Sequence, residues 1–320
     1  MMSKVSDYSH FPVMLGECMN LLAIRPDGVY VDCTAGGGGH SKAILERLGR
    51  GGVLVSIDKD PAAVRQTSSV LEAVGSEASH HVLQMDFSQL DDALDAFEIG
   101  HADGILADLG VSSHQLDTAD RGFGYSQDGP LDMRMNPAAS LSAREVVNRY
   151  TVGELARILR EYGEERHADR IARAICRRRE IRPFETTADL AAAVASAMPP
   201  QARREAQHPA RRTFQAVRIE VNGELDALRQ LLAAAAGRLA DRGRLCILSF
   251  HSLEDRLVKE SFRSWENPCT CPRDFPHCVC GAVPLGKNVS KRPVTAAPDE
   301  LEINPRSRSA KLRAFERIIS

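Results

Sequence analysis

The feature that most constrains the fold is a run of four glycines in VYVDCTAGGGGHSKAIL, residues 29–45. Consecutive glycines lose much conformational entropy on folding and contribute no side chain to a core. Here they separate a β-branched strand pattern from a helical pattern. Such a loop lets backbone N–H groups and a helix N-terminus approach a nucleotide closely. The run predicts a ligand site at the end of the first strand, and a tight turn without a ligand is the alternative.

Strand and helix patterns alternate through the first hundred residues. Apolar, β-branched segments predict four strands (GVYVDCT, GGVLVSIDKD, HHVLQMDF and ADGILADLG), and the segments between them predict helices. Further along the chain, RLCILSFH predicts a fifth parallel strand and SRSAKLRAFERI predicts a final strand. This alternation predicts an α/β fold with a doubly wound, Rossmann-like sheet that is covered by helices on both faces.

The alternation is interrupted between about residues 111 and 217, where the chain carries helices and turns but no convincing strand. VGELARILREYGEERHADRIARAICRRRE predicts a long helical stretch that is broken near Tyr162 and Gly163. TTADLAAAVASAMPP predicts a helix with a threonine cap and a proline stop. We therefore predict a helical insertion at residues 112–216, between strands four and five of a domain formed by residues 1–111 and 217–320.

Composition limits where the protein works and what it binds. The chain is 43% hydrophobic, and its formal net charge of −2 excludes a global attraction to nucleic acid. A signal-peptide h-region and a bilayer-spanning apolar run are both absent from the sequence, which predicts a soluble, cytoplasmic protein without a membrane partner. Arginines nevertheless concentrate in the insertion, with ten against six acidic residues over 149–182 and five against one over 203–218. These clusters predict a phosphate-binding surface, and solvated helix faces with i,i+4 ion pairs are the alternative.

The residues around the glycines indicate which nucleotide binds. His40 and Ser41 stand where a dinucleotide fingerprint needs its third glycine, and no Walker lysine follows, so NAD and S-adenosylmethionine remain. Asp32 precedes the glycines, where a carboxylate repels a pyrophosphate but attracts a sulfonium and an amino group. Asp58 ends the second strand, at the position where an acid binds ribose hydroxyls in such folds. These positions favour S-adenosylmethionine.

Two more strand ends carry candidate ligand residues. Asp86 and Phe87 follow strand three and can offer a carboxylate or amide and a ring to an adenine, with core packing as the alternative for Phe87. Asp108 ends strand four, which lies beside strand one at the switch point of a doubly wound sheet. We therefore expect Asp108 opposite the glycine loop, and a turn cap is its alternative role.

Long segments of the sequence resemble the bacterial ribosomal RNA small-subunit methyltransferase H family. The resemblance spans about residues 10–318 and rests on PDGVYVDCTAGGGGHS, DLGVSSHQLD, DGPLDMRM, YGEERHADRIARAI, HPARRTFQAVRIEVNGEL, SFHSLEDRLVK and NPRSRSAKLR. It implies a class I methyltransferase sheet and methylation of a cytosine N4 amine in the decoding region of small-subunit ribosomal RNA, with S-adenosyl-L-methionine as cofactor. The implied partner is that RNA, in an assembled or assembling small subunit. The implied cofactor contacts are Gly38, Gly39, His40, Asp58, Phe87, Asp108 and Gln115.

The predicted reaction gives Asp108 a catalytic role. The lone pair of a cytosine N4 amine is delocalised into the ring, and an acceptor for the amine hydrogens would localise it. Asp108 in DLGV is such an acceptor, although the two prolines and the aromatic residue typical of amino methyltransferases at this place are absent. A DNA amino methyltransferase, a dinucleotide oxidoreductase and an RNA-binding module without turnover are the alternatives.

Two further motifs have open interpretations. Cys269, Cys271, Cys278 and Cys280 form a C-x-C…C-x-C pattern, which predicts either a structural zinc site or free thiols. In FHSLEDR, after strand five, His251 and Glu254 are candidates for catalysis or for capping the next helix.

Overall fold

Seven strands form one sheet in the order β3-β2-β1-β4-β5-β7-β6. β1 to β5 run parallel, whereas β7 is antiparallel to both β5 and β6. The strands are β1 Val29–Asp32, β2 Val53–Asp58, β3 Ser79–Gln84, β4 Ala102–Asp108, β5 Leu239–Ser249, β6 Gly286–Asn288 and β7 Lys311–Arg317. The predicted α/β class, the five parallel strands and the final strand are confirmed. The short strand β6 was not predicted.

This computed structural model describes residues 12–200, 208–272 and 279–319. Thirteen α-helices occur in these ranges, and none of them is long and apolar enough to cross a membrane. They are α1 Leu15–Leu22, α2 Gly39–Leu45, α3 Pro61–Glu72, α4 Leu90–Asp95, α5 Ser113–Asp117, α6 Ala143–Arg149, α7 Val152–Glu161, α8 Ala168–Ile181, α9 Thr187–Ala197, α10 Arg211–Asn222, α11 Glu224–Arg238, α12 Ser252–Glu266 and α13 Pro298–Ile303.

The chain divides into a sheet unit, residues 1–110 and 226–320, and a helical unit, residues 111–225. The sequence predicts the second boundary at residue 216, which falls inside α10. The helical unit continues beyond that point because Phe214, Val217 and Val221 on α10 all pack into its core. A boundary at 216 would cut this apolar face in two.

The sheet unit buries apolar residues on both faces of its central strands, as a parallel sheet requires. Val31 and Ile105 contribute to one core cluster, together with residues of α4, α11 and α12. Tyr30 and Leu106, their neighbours in sequence, contribute to the other cluster with residues of α1 and α2. Successive side chains of these strands are therefore buried on opposite faces of the sheet. Polar side chains can face a ligand at the strand ends.

The order in which the strands are added to the sheet reverses between β1 and β4. These two strands pair in parallel, with Val31 opposite Ile105. β2 and β3 extend the sheet on one side of this pair, and β5 and β7 extend it on the other. In doubly wound sheets a ligand binds at the carboxyl ends of the strands at this switch point. Asp32 and Asp108 end the two strands there, as predicted.

The helical unit has its own apolar core, to which Leu155, Ile171 and Phe184 contribute. The predicted break near Tyr162 and Gly163 is confirmed, because α7 ends at 161 and α8 begins at 168. A Cβ atom at Gly163 would lie 2.7 Å from the Leu159 carbonyl oxygen, so glycine permits close packing at this turn. Thr186 caps α9, also as predicted, by accepting a hydrogen bond from the backbone of the first turn.

Candidate active site

The glycine loop is tied to neighbouring strands by backbone hydrogen bonds. The Ala35 N–H donates to the Ile57 carbonyl over 3.0 Å, and the Gly36 N–H donates to Asp58 Oδ2 over 2.9 Å. The Thr67 hydroxyl of α3 donates to the Gly36 carbonyl. These bonds hold the loop in one conformation before any ligand binds, which lowers the entropy lost on binding.

The four glycines are present for different reasons. Gly36 and Gly38 have φ angles of +53° and +83°, which glycine adopts without strain. At Gly39 a Cβ atom would lie 2.9 Å from the Pro12 side chain. A Cβ atom at Gly37 would meet no atom of the described residues within 4 Å. Internal packing therefore does not require glycine at 37, and the space beside it is available for a ligand.

Asp32 is fully buried beneath the loop. Its carboxylate accepts hydrogen bonds from the Ser41 hydroxyl over 2.6 Å and from the Thr34 N–H over 3.1 Å. Burial raises the pKa of Asp32, and the nearby His40 together with the Ser41 hydrogen bond opposes this rise. Because both oxygens have partners inside the protein, Asp32 orients the loop and contributes negative potential from below.

Asp58 joins the loop to the start of α3. Its Oδ2 accepts from the Gly36 N–H, and its Oδ1 accepts from the Asp60 N–H over 2.8 Å. Burial raises the pKa of Asp58 to about 6, although the two backbone hydrogen bonds oppose the rise. A carboxylate has about four lone-pair positions, so two remain for ligand hydroxyls. The geometry is compatible with the predicted ribose contact.

Asp86 and Phe87 follow β3. Asp86 forms an ion pair of 3.1 Å with Lys59 and accepts from the Ser88 N–H, so its carboxylate already has partners. Burial raises the pKa of Asp86, but Lys59 and Ser88 outweigh this effect and hold it below its ordinary value. Phe87 is half-buried against the core of the sheet unit, which leaves part of its ring accessible. Core packing thus accounts for part of this side chain, and its adenine contact remains a prediction.

Asp108 differs from Asp32, Asp58 and Asp86 because its buried Oδ1 has no hydrogen-bond partner among the described residues. Its backbone N–H donates to Thr34 Oγ1 over 2.6 Å, which fixes the end of β4 beside the loop. Burial raises the pKa of Asp108 well above its usual value, and the carboxylates of Asp32 and Glu254 raise it further. A buried acceptor without a donor is costly, so this oxygen is suited to a donor or a positive charge on a bound ligand.

His40 lies between the N-terminal segment and Asp108. Its Nε2 donates to the Val13 carbonyl over 3.1 Å, and its Nδ1 lies 3.8 Å from Asp108 Oδ2. Burial lowers the pKa of His40, and the nearby Asp32 opposes this shift. The imidazole is only 5% exposed. The side chain therefore acts within the protein, and the backbone of His40 is the part suited to the predicted ligand contact.

Two other candidates have capping roles. Gln115 lies in the helical unit, where its Oε1 accepts from the Ser112 N–H in a capping box at α5. Its predicted cofactor contact stays a prediction. Glu254 Oε2 accepts from the backbone N–H groups of Phe250 and His251. His251 and Glu254 thereby form a second capping box, at the N-terminus of α12. Of the two interpretations of His251 and Glu254, capping is the one that this geometry supports.

Sequence reasoning missed Thr34 and Ser41. The Thr34 hydroxyl positions β4, and the Ser41 hydroxyl links Asp32 to Ser56, whose Oγ lies 2.9 Å away. The available signal was a pair of hydroxyl residues on either side of the glycines, in DCTAGGGGHS. Their partners lie on other strands, so the pairing was not evident from the local pattern.

The sheet order and the acid-lined loop at its switch point define a class I methyltransferase. Residues 7–318 match the MraW methylase family, and the chain belongs to that family. It is 49% identical over 311 residues to a ribosomal RNA small subunit methyltransferase H from Symbiobacterium thermophilum, which covers 97% of each chain. It is 48% identical to the protein of that name from Ruminiclostridium cellulolyticum, over 98% of this chain and all of the relative.

Solved structures align with the chain at lower similarity. A putative rRNA-methylase from Clostridium thermocellum covers 97% of this chain and 99% of its own, with a TM-score of 0.44 and 10% identity. An rRNA methylase from Streptococcus thermophilus covers 97% of this chain and 100% of its own, with a TM-score of 0.43 and 10% identity.

Family membership makes the chain a methyltransferase and confirms S-adenosyl-L-methionine as its cofactor. The site fits the chemistry of that molecule. The buried oxygen of Asp108 and the acids Asp32 and Asp58 provide negative potential for a cofactor with a sulfonium and an ammonium group. The open space at Gly37 lets the cofactor approach the backbone.

Asp58→Asn is expected to weaken S-adenosylmethionine binding by about 1–2 kcal/mol, or roughly 5- to 30-fold, because an amide oxygen cannot replace both carboxylate acceptors. Affinity of the unmodified protein should also fall as pH decreases through about 6, where Asp58 gains a proton. Titration calorimetry at pH 7.5 and pH 5 measures both effects, with Asp27→Asn before β1 as the control. Unchanged affinity in Asp58→Asn would remove Asp58 from the site.

Proposed function

We propose that this protein transfers the methyl group of S-adenosylmethionine to the N4 amine of a cytosine in the decoding region of small-subunit ribosomal RNA. The names of the relatives support small-subunit ribosomal RNA as the substrate. The buried acceptor of Asp108 at the switch point supports an amine as the methylated group. The substrate is an assembled or assembling small subunit in the cytoplasm.

The proposed chemistry needs an acceptor more than it needs a strong base. Methyl transfer from a sulfonium is a displacement in which the cofactor supplies the reactive group. The amine would gain positive charge as its bond to the methyl carbon forms, while the carbon–sulfur bond breaks and leaves a neutral thioether. The amine would then lose its extra proton to solvent water. Asp108 Oδ1 accepts an amine hydrogen, localises the nitrogen lone pair and stabilises the growing charge. The positive cofactor favours the ionised form of Asp108 and opposes only part of the rise in pKa that burial causes.

The helical unit carries a stripe of arginines that suits RNA phosphates. Arg170, Arg173 and Arg177 are exposed on α8, with spacings of three and four residues that place them on one face of the helix. Arg166, one turn earlier along the chain, is also exposed. Within the described ranges, none of the four forms an ion pair. We call these four residues the arginine stripe, and we infer that it contacts the backbone of the RNA.

Neighbouring arginines have structural roles instead. Arg178 donates to the Arg182 carbonyl and lies over the Phe184 ring at 5.5 Å, and Arg179 donates to the Val147 carbonyl over 2.8 Å. These contacts lie within the helical unit and use the guanidinium groups. The charge cluster at 177–179 therefore contains one stripe residue and two that hold the fold together.

The test of the proposed function is methylation of small subunits that lack the modification. Purified protein is incubated with labelled cofactor and with subunits, free small-subunit RNA or duplex DNA, and the modified base is mapped by nuclease digestion and mass spectrometry. We expect a single N4-methylated cytosine in the decoding region of the subunit RNA. Label on another base, on another atom or in the DNA alone would contradict the proposal.

A further inference from the structure

Three cysteines outside the methyltransferase site come together in the segment that links α12 to β6. The sulfur atoms of Cys269, Cys271 and Cys280 all lie within 4.8 Å of one another. Cys269 and Cys280 are exposed, and Cys271 is half-buried. This cluster is distant in sequence from the glycine loop and takes no part in the proposed chemistry.

The spacing of the sulfurs matches metal coordination. The Sγ atoms of Cys269 and Cys280 are 3.8 Å apart. Two thiolates bound to one tetrahedral zinc ion at about 2.3 Å have sulfurs about 3.8 Å apart, whereas a disulfide bond is about 2.05 Å long. The Val279 N–H donates to Cys271 Sγ over 3.4 Å. Hydrogen bonds of this kind orient thiolate ligands around a metal.

The described parts of the linking segment have little else to order them. Val279 and Val283 are 72% and 64% exposed, so their side chains contribute little to a core. In the described parts, 267–272 and 279–285, the chain forms no helix or strand. Its end is held by the Leu285 N–H, which donates to the Trp265 carbonyl over 2.9 Å. A segment that buries so little apolar surface needs a cross-link to keep one conformation.

We propose that Cys269, Cys271 and Cys280 bind a structural zinc ion that cross-links the segment between α12 and β6. Three thiolate donors select zinc over the hard cations, which prefer oxygen, and a fourth ligand would complete the tetrahedral coordination. The sequence hypothesis also included Cys278, which lies outside the described residues. The ion holds the segment in one conformation. It takes no part in methyl transfer, which occurs at the switch point.

The first measurement is metal content. Protein purified without chelators under anaerobic conditions is analysed by elemental mass spectrometry, and we expect about one zinc per chain. The double variant Cys269→Ser/Cys280→Ser should lose the metal, whereas Cys176→Ser, a cysteine of α8, should retain it. Zinc retained in the double variant, or no zinc in the unmodified protein, would overturn the proposal.

A second measurement needs no substitution. Removing the metal from the unmodified protein with a strong chelator should expose residues 267–272 and 279–285 to limited proteolysis, and adding zinc back should restore protection. Affinity for S-adenosylmethionine should be unchanged by the same treatment. Protection that is identical with and without metal would show that the ion does not order the segment. An intramolecular disulfide in place of the metal in anaerobic protein would also refute the site.

Discussion

Replacing Asp108 with asparagine is expected to lower kcat for methyl transfer about 100-fold or more, in the range of general acid–base effects. Asparagine has nearly the same shape but lacks the charge that stabilises a positive amine in the transition state. The interaction strengthens as the reaction proceeds, so its loss lowers the rate more than it weakens ground-state binding. Single-turnover methylation at saturating cofactor measures the effect.

The matched control is Asp86→Asn, which changes the acid that follows strand β3 and removes its ion pair with Lys59. It should alter cofactor affinity at most and leave the saturated rate unchanged. If Asp108→Asn also regains the full rate at saturation, Asp108 binds cofactor without assisting the chemistry. The acceptor would then have to be another group.

The pH dependence gives an independent check on Asp108. Its carboxylate must be ionised to accept the amine hydrogen, and burial raises its pKa well above the ordinary value. The rate should therefore fall as pH decreases, at a higher pH than an ordinary aspartate would produce. In Asp108→Asn this decrease should disappear from the single-turnover rate measured at saturating cofactor. A decrease that persists unchanged in the variant belongs to a different group.

Changing the stripe residues Arg170, Arg173 and Arg177 together to glutamine is expected to weaken binding to small subunits about 100-fold at 0.15 M salt. Each lost phosphate contact removes about 0.7–0.9 from the slope of log affinity against log salt, so the slope should become shallower by about 2–3. Binding measured at several salt concentrations gives both values. Cofactor affinity should not change, because none of the predicted cofactor contacts lies on α8.

A control with the same loss of charge is available in the same unit. Arg144, Arg149 and Arg160 are exposed but lie beside the carboxylates of Glu185, Glu145 and Asp169. Their triple glutamine variant should change subunit binding by only a few-fold. Equal weakening in both variants would mean that net charge matters and that the arginine stripe has no special position.

The strands of the sheet could be predicted where a local run of apolar residues marks them. β1, β2, β4 and the second half of β5 are runs of largely buried residues, whereas β3 is only half-buried. The parallel order of the five strands follows from the helices between them. β6 has only three residues, GKN, and two of them are polar or charged, so no apolar pattern reveals it. It exists because β7 offers an edge with which it can pair.

The candidate site was predictable at strand ends and less so between them. Asp58 and Asp108 stand out because an acid directly after an apolar strand has no reason to be in the core. The hydrogen bond from the Asp108 N–H to Thr34 joins residues 74 positions apart, which no local pattern encodes. The same limit explains Arg179, whose partner Val147 lies on a different helix.

The position of β7 has a consequence for how the newly made chain matures. β7 lies between β5 and β6, although the ribosome makes it after both of them. Until β7 emerges, β5 has an open edge on the side away from β4, and its apolar residues Leu245 and Ile247 lack their final cover. Such edges invite wrong pairing in nascent chains. The enzyme therefore passes through a stage in which a chaperone that shields β5 would raise its yield, and slow synthesis between β5 and β7 would lower it.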